Sequence, residues 1–339
     1  MKAVVCTKYG PPEVLKLKEI PKPEPKRDEV CIKIKATAVN SADIRVRKFD
    51  VPISFWLPAR FALGMFRPKY HILGIVSSGV IESVGADVKQ FKPGDEVFAT
   101  SDFERWGAYA EYLCLKETGA ITFKPKNMSY EEAASIIFGG LTAIEFLGRA
   151  GLKRSQKILI YGASGSVGIA TVQLAEYIGA EVTGVCSGGN INLVRSQGAD
   201  HVIDYQTEDF SKTTKRFDVV FDAVGKGSLS DCLRVLKKGG IYLNAVDTPG
   251  MLLRMRWASW TKGIRLWEKG YKRSEHQNIR ADVFKRIKEY AEKGAFKPVI
   301  DRTYSLERIV EAHHYVEKGH KKGNVTITVG ESEGINPLF

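Results

Sequence analysis

An apolar run from Lys157 to Tyr161 passes directly into the small-residue turn Gly162-Ala163-Ser164-Gly165-Ser166-Val167-Gly168, and then into a helical pattern that ends at Gly179. Few folds accommodate that succession. A strand, a tight turn and a helix N-terminus aim backbone N–H groups and the positive helix end at one spot, where a pyrophosphate fits. Small residues are needed there because a larger side chain would block its approach. In the G-x-G-x-x-G frame Ala163 holds the first position, while Gly165 and Gly168 keep the other two. A lone glycine triplet also describes an ordinary turn, so the surrounding pattern decides. Further apolar runs follow at Glu181–Cys186, His201–Tyr205, Phe217–Gly225 and Gly239–Val246, separated by helical stretches. Short apolar strands alternating with helices require a parallel sheet covered on both faces, an α/β doubly wound Rossmann domain that binds a dinucleotide.

The rest of the chain has a different rhythm. From Met1 to about Phe123, short strands are punctuated by Pro and Gly, and Val30, Ile32, Ile34 and Ala36 alternate with Cys31, Lys33 and Lys35. That period of two describes a half-buried strand in a mostly β domain. Phe49–Tyr70 breaks the rhythm: it is long, apolar and interrupted by Pro52, Pro58 and Pro68, so it reads as a loop at a substrate mouth or subunit contact. Ser129, followed by Glu131 and Glu132, starts a helix. Ser305 caps another helix that runs toward Gly319, and Val325–Val329 reads as a last strand folding back onto the N-terminal domain. A chain of 339 residues has room for two such domains. The expected boundaries are 1–124 for the β domain, 125–266 for the Rossmann domain and 267–339 for the return to the β domain.

The end of the second Rossmann strand sets the cofactor. An Asp or Glu about 20 residues past the glycine turn would bind the ribose 2′-hydroxyl and select NAD, but the sequence there is Cys186-Ser187-Gly188-Gly189-Asn190. Ser187 and Asn190 can donate hydrogen bonds, and Tyr205 at the end of the third strand can reach the same region, which favours NADPH. The alternative is that Ser187 and Asn190 only form a turn.

Taken in order, Ala38-Val-Asn-Ser-Ala-Asp43, Gly79–Gly85, Phe91–Phe98, Gly107–Tyr112, Gly139–Ala143, Tyr161–Gly168 and Gly198–Tyr205 resemble the medium-chain dehydrogenase/reductases over nearly the whole chain, in particular their zinc-independent quinone oxidoreductase-like branch. The resemblance implies a GroES-like mostly β catalytic domain beside the Rossmann domain, and a homodimer. It places Asn40 and Asp43 beside the nicotinamide, with Arg47 as an anchor or proton-relay member. Thr142 would approach the nicotinamide, and Val224, Ala245 and Val246 would end strands at the sheet's carboxyl edge. Asp43 and Arg47 also suit a surface ion pair at i, i+4. Zinc-dependent relatives carry Cys where this chain has Asn40, and a His-Glu pair where it has Ile75 and Val76. Neither Ile nor Val offers a donor, so no metal is expected. Related reductases often carry Lys at the positions of Asn190 and Asn324, and Lys321 or Lys322 can substitute for the latter.

Hydride transfer without zinc relies on positioned dipoles to polarise the acceptor. The expected acceptor is a lipophilic quinone, enone or carbonyl compound held by the apolar 49–70 segment. Alcohol dehydrogenase-like or enoyl reductase activity is the rival within the same chemistry. At 44% hydrophobic and 27% charged, the composition excludes disordered and fibrous classes. The net charge of +12 is spread along the chain, so no nucleic-acid partner is expected. Its densest basic stretch, 254–273, is interleaved with Trp257, Trp260 and Trp267 and supports a further rival, a non-catalytic NADPH-binding protein that meets nucleic acid or membrane. The five cysteines are scattered and show no C-x-x-C pair, so disulfides are not expected. With no apolar run of about 18 residues and no leader-like N-terminus, no membrane span and a cytoplasmic location are expected.

Overall fold

A computed structural model describes residues 1–51, 56–101, 106–246, 265–267 and 276–330. They divide into two compact units: Met1–Ile137 with Glu275–Glu292 and Ile300–Phe339, and Phe138–Ser274 with Lys293–Val299.

The first unit begins with the antiparallel pair β1 (Lys2–Cys6) and β2 (Leu15–Glu19), followed by β3 (Glu29–Ala38) and α1 (Ser41–Lys48). Next come α2 (Trp56–Leu63), β4 (Val76–Val84), β5 (Glu96–Thr100), β6 (Tyr112–Lys116) and β7 (Ile121–Phe123). α2 corrects the reading of 49–70 as a loop. Pro58 falls in the first turn of this helix, where its missing N–H is tolerated. Phe61 and Phe66 are nonetheless largely exposed, at 72% and 92%. The turn Lys92–Asp95 forms as its sequence implies, with Asp95 N–H donating to the Lys92 carbonyl and Gly94 at a φ of 95°.

Helix α3 (Tyr130–Ala150) passes from the first unit into the second. Ser129 and Glu132 form a reciprocal capping box: each backbone N–H donates to the other's side chain, at 3.0 and 3.2 Å. α3 is long and apolar enough to cross a bilayer, yet two-thirds of that stretch (67%) is buried within the protein, as in a core helix.

The second unit runs β8 (Lys157–Tyr161), α4 (Ser166–Ile178), β9 (Glu181–Cys186), α5 (Ile191–Ser196), β10 (His201–Asp204), β11 (Phe217–Asp222), α6 (Leu229–Val235), β12 (Leu236–Asn244) and β13 (Arg265–Trp267). Its sheet has the order β10-β9-β8-β11-β12-β13 and every pairing is parallel. Strand order reverses between β8 and β11, the doubly wound arrangement expected from the apolar strands. Leu159, Val185, Val220 and Tyr242 pack beneath Phe210 and Phe217 in one buried cluster. The basic tryptophan segment lies outside the described residues except for the β13 backbone, which is a strand paired with β12.

The last elements are α7 (His276–Glu292), β14 (Ile300–Ser305), α8 (Ile309–Glu317) and β15 (Asn324–Thr328). β15 pairs with β3, and the larger sheet of the first unit runs β14-β15-β3-β4-β5-β7, with β6 also paired to β3. The return of the tail to the N-terminal sheet is thus a strand pairing. Ser305 makes no side-chain capping bond; it precedes a single 3₁₀ turn, Leu306–Arg308, from which α8 continues.

Candidate functional site

The second unit gathers the nucleotide candidates other than Thr142 and Asn324 at the carboxyl end of its sheet. Gly162 and Ala163 N–H both donate to the Val185 carbonyl at 3.0 Å, fixing the turn against β9. A Cβ at Gly168 would lie 2.2 Å from the Gly162 carbonyl oxygen, so only glycine lets α4 approach the turn this closely. A Cβ at Gly165 would meet nothing closer than 3.6 Å, which leaves that side of the turn open. The first N–H groups of α4 have no intrahelical partner, and the buried hydroxyl of Ser166, its first residue, has none either. These features fit a pyrophosphate bound at a helix N-terminus, with the Val167 and Gly168 backbone continuing the cradle.

Beside the turn, the Asn190 side chain donates to Ser164 Oγ at 3.2 Å and to Ser187 Oγ at 3.0 Å. Three of the candidates therefore meet in one polar cluster. Tyr205 follows β10, is half exposed, and tilts toward Tyr161 with ring centroids 6.4 Å apart. An acidic residue does reach this corner, although from the neighbouring strand: a Cβ on Gly188 would lie 2.5 Å from Asp204 Oδ2.

Val224, Ala245 and Val246 lie one or two residues beyond their strands rather than ending them. Their loops are organised by two side chains that the sequence reading missed. Asp222, fully buried, accepts N–H bonds from Val224, Gly225 and Gly227 at 3.1, 2.8 and 2.8 Å. Asn244 accepts from Val246 N–H at 2.8 Å, and Ala245 N–H donates to the Asp222 carbonyl. An Asp or Asn closing an apolar strand before a glycine-containing turn was the available signal. Thr142 sits on α3, its hydroxyl bonded back to the Phe138 carbonyl at 2.9 Å.

The first unit holds the catalytic candidates. Asn40 caps α1, and Asp43 Oδ2 accepts the Asn40 N–H at 2.7 Å. The Asn40 amide spends one N–H on the Ala38 carbonyl. The ion pair drawn for Asp43 and Arg47 does not form, and neither residue lies on the surface: both are 0% exposed. Arg47 pairs instead with Glu317 of α8 and donates to the Gly10 carbonyl, because burial between α1, α8 and the loop after β1 gives it these partners. Burial pushes the Asp43 carboxyl up to about 7, and the Tyr109 hydroxyl beside it is raised as well. His313 meets the Tyr109 ring edge-on at 5.7 Å and is held neutral, pushed down to about 3 by burial and by Arg47. His313 and Glu317 carried no sequence signal, and Tyr109 lay inside the Gly107–Tyr112 motif without being singled out, because the three come from distant segments.

Asn324 is buried at the start of β15 in the first unit, opposite Ile300 of β14. Lys321 donates to the Gly323 carbonyl, while Lys322 is exposed. Ile75 and Val76 are buried, and among the described residues no group of three or more His, Cys, Asp or Glu side chains converges.

The alcohol dehydrogenase GroES-like domain family matches residues 26–125, and the zinc-binding dehydrogenase family matches residues 197–327. A 2-methylene-furan-3-one reductase of Solanum lycopersicum is 34% identical, across 96% of this chain and 79% of that protein. The chain belongs to the medium-chain dehydrogenase/reductases. Within this superfamily it is also 32% identical to the chloroplastic NADPH-dependent alkenal/one oxidoreductase of Arabidopsis thaliana, across 96% of this chain and 79% of that one. The quinone oxidoreductase of Coxiella burnetii superposes with a TM-score of 0.83 at 28% identity, covering 97% of this chain and 99% of that one. These matches put the chain in the quinone oxidoreductase-like branch, with a GroES-like domain and a Rossmann domain, and make it an oxidoreductase that uses a nicotinamide cofactor.

Proposed function

We propose that the protein is a zinc-independent, NADPH-dependent oxidoreductase that passes hydride to a quinone, an activated alkene or a carbonyl. The observation that carries the reading is the Ser164–Asn190–Ser187 cluster beside the open glycine turn, which offers hydroxyl and amide donors to a 2′-phosphate. The activities for which the relatives are named, an NADPH-dependent alkenal/one oxidoreductase and a 2-methylene-furan-3-one reductase, support the acceptor class.

When bound, NADPH supplies the hydride. The chain's own residues then have three tasks. Backbone N–H groups at Gly165–Gly168 hold the pyrophosphate, and Ser187 and Asn190, with Tyr205, select the phosphorylated ribose. The Asn40 amide polarises the acceptor oxygen by turning an N–H from its bonds to Ala38 and Asp43, and α1 is held in place by the Asp43 bond to the Asn40 backbone N–H and by the Arg47–Glu317 pair. The apolar side chains of Trp56, Phe61 and Phe66 hold a lipophilic acceptor. Asn, Ile and Val at 40, 75 and 76 provide no thiolate, imidazole or carboxylate, which supports catalysis without zinc. A cytoplasmic homodimer, its copies pairing at the β13 end of the sheet, where the described strands stop, completes the reading.

The test is a calorimetric titration of the metal-free protein with NADPH and with NADH, repeated on Ser187→Asp. NADPH should bind the parent more tightly, and the aspartate should weaken it by more than tenfold, about 1.4 kcal/mol, while sparing NADH. Failure of both nucleotides to bind the parent would overturn the reading.

A further inference from the structure

The cysteines, scattered in sequence, do not stay apart in the fold. β3 and β6 pair antiparallel with Cys31 directly opposite Cys114. Ile34 N–H donates to the Glu111 carbonyl at 2.8 Å in the same register, so the pair 34/111 is a hydrogen-bonded one. Counting back along the ladder, Cys31 and Cys114 form a non-hydrogen-bonded pair, whose Cα atoms stand about 4.5 Å apart. That spacing lies within the range a disulfide spans, roughly 4.4–6.8 Å. Both side chains point to the same face, as directly opposed residues must.

The two sulfurs are chemically unequal. The Cys114 thiol donates toward Cys31, and this bond, with Lys22 and Ser83 nearby, holds the Cys31 thiol below its ordinary value, while Cys114 is raised. Lys22 stacks on the Tyr112 ring at 4.2 Å and is ion-paired with Glu82, whose charge opposes its effect on Cys31, so the bond from Cys114 is the main cause of the difference. At the other thiols burial prevails: it pushes Cys6, despite the nearby Arg47, and Cys186 up to about 11, and Cys232 up to about 12. Cys114 is half-buried on β6, whose partner among the described residues is β3 alone, so a small oxidant has an approach from that edge.

We infer that Cys31 and Cys114 are a redox-active thiol pair that closes to an intramolecular cross-strand disulfide when the protein meets a peroxide. In the balanced step, both S–H bonds and the peroxide O–O bond break and one S–S bond forms. The two sulfurs are oxidised by two electrons, and hydrogen peroxide takes those electrons and two protons to leave as two waters. The pair lies about 30 Å along β3 from Asn40, so this modification is independent of the proposed hydride transfer.

The experiment uses the full chain, reduced, freed of reductant and treated with hydrogen peroxide, then digested without reduction for mass spectrometry. A peptide joining Cys31 to Cys114, lost on adding dithiothreitol, is the expected product. It should persist in a Cys6→Ser/Cys186→Ser/Cys232→Ser variant and vanish in Cys114→Ser. Cys31→Ser should retain NADPH binding while losing the link. Conversion of Cys114 to sulfinic or sulfonic acid without a link to Cys31, or a disulfide between two chains, would overturn the inference. The parent chain alone decides the matter, so a misfolded variant does not rescue it.

Discussion

Asp222 does more for the nucleotide edge than its place at the end of an apolar strand suggests. Its carboxylate gathers three N–H groups of the loop that carries Val224 and Gly225, and satisfies them away from water. Those bonds to the ionised form oppose the burial that raises its pKa, and burial wins. Asp222→Ala would strand the donors, at a cost of about 3 kcal/mol, so its melting temperature should fall well below that of the parent. Nucleotide affinity should fall with it, since the loop loses its frame. A variant that melts like the parent would remove Asp222 from this role. Gly168 makes the complementary point. Its spacing was legible, yet the reason for it, an approach to the Gly162 carbonyl that excludes any Cβ, appears only in three dimensions.

At the scale of elements, parallel strands announce themselves because both faces are buried. Ile158, Leu159 and Ile160 of β8 are all fully buried, and Phe146 of α3 stacks on Phe221 of β11 with centroids 5.1 Å apart. Ile160→Ala should therefore cost about 3 kcal/mol by urea unfolding, through lost contacts and the cavity left behind. Leu17→Ala on β2, where the side chain is exposed, should cost less than about 0.5 kcal/mol. Equal effects would mean that β8 is not central. β3 was read half correctly. Its alternation predicted the buried Ile32 and Ile34, but Cys31 is buried too, on the side where its thiol reaches the Pro23 carbonyl of the segment before β3. α2 was unreadable by periodicity, since an exposed apolar helix has no polar face to set against its apolar one.

For the whole molecule, the interior of the first unit sets a pH dependence. His313 is neutral in the fold down to about 3, whereas an unfolded histidine protonates near 6.5, so its contribution to stability is lost as pH falls through that window. Asp43 acts in the opposite sense. Its folded value of about 7 lies above the unfolded value near 4, so its contribution is present at low pH and lost as pH rises toward 7. Arg47, Tyr109, Glu317 and His314 surround the two groups and share the balance. Between about pH 4 and about pH 6.5 the two contributions partly cancel in the parent. Melting curves should show Asp43→Asn gaining stability with rising pH more steeply than the parent, and His313→Gln losing it. Parallel curves for all three would mean that neither group titrates on unfolding.

The sequence by itself determined the parallel sheet, the glycine turn, the helix that follows it and the Ser187–Asn190 corner. Each rests on residues close in the chain, where periodicity and backbone sterics act locally. Only the tertiary structure decided the partners of Arg47, the approach of Asp204 to Gly188, the choice of β3 as the strand that the returning β15 pairs with, and the pairing of Cys31 with Cys114. These join segments tens to hundreds of residues apart. No local propensity encodes them, because they follow from which apolar faces bury each other and from the strand register that burial imposes.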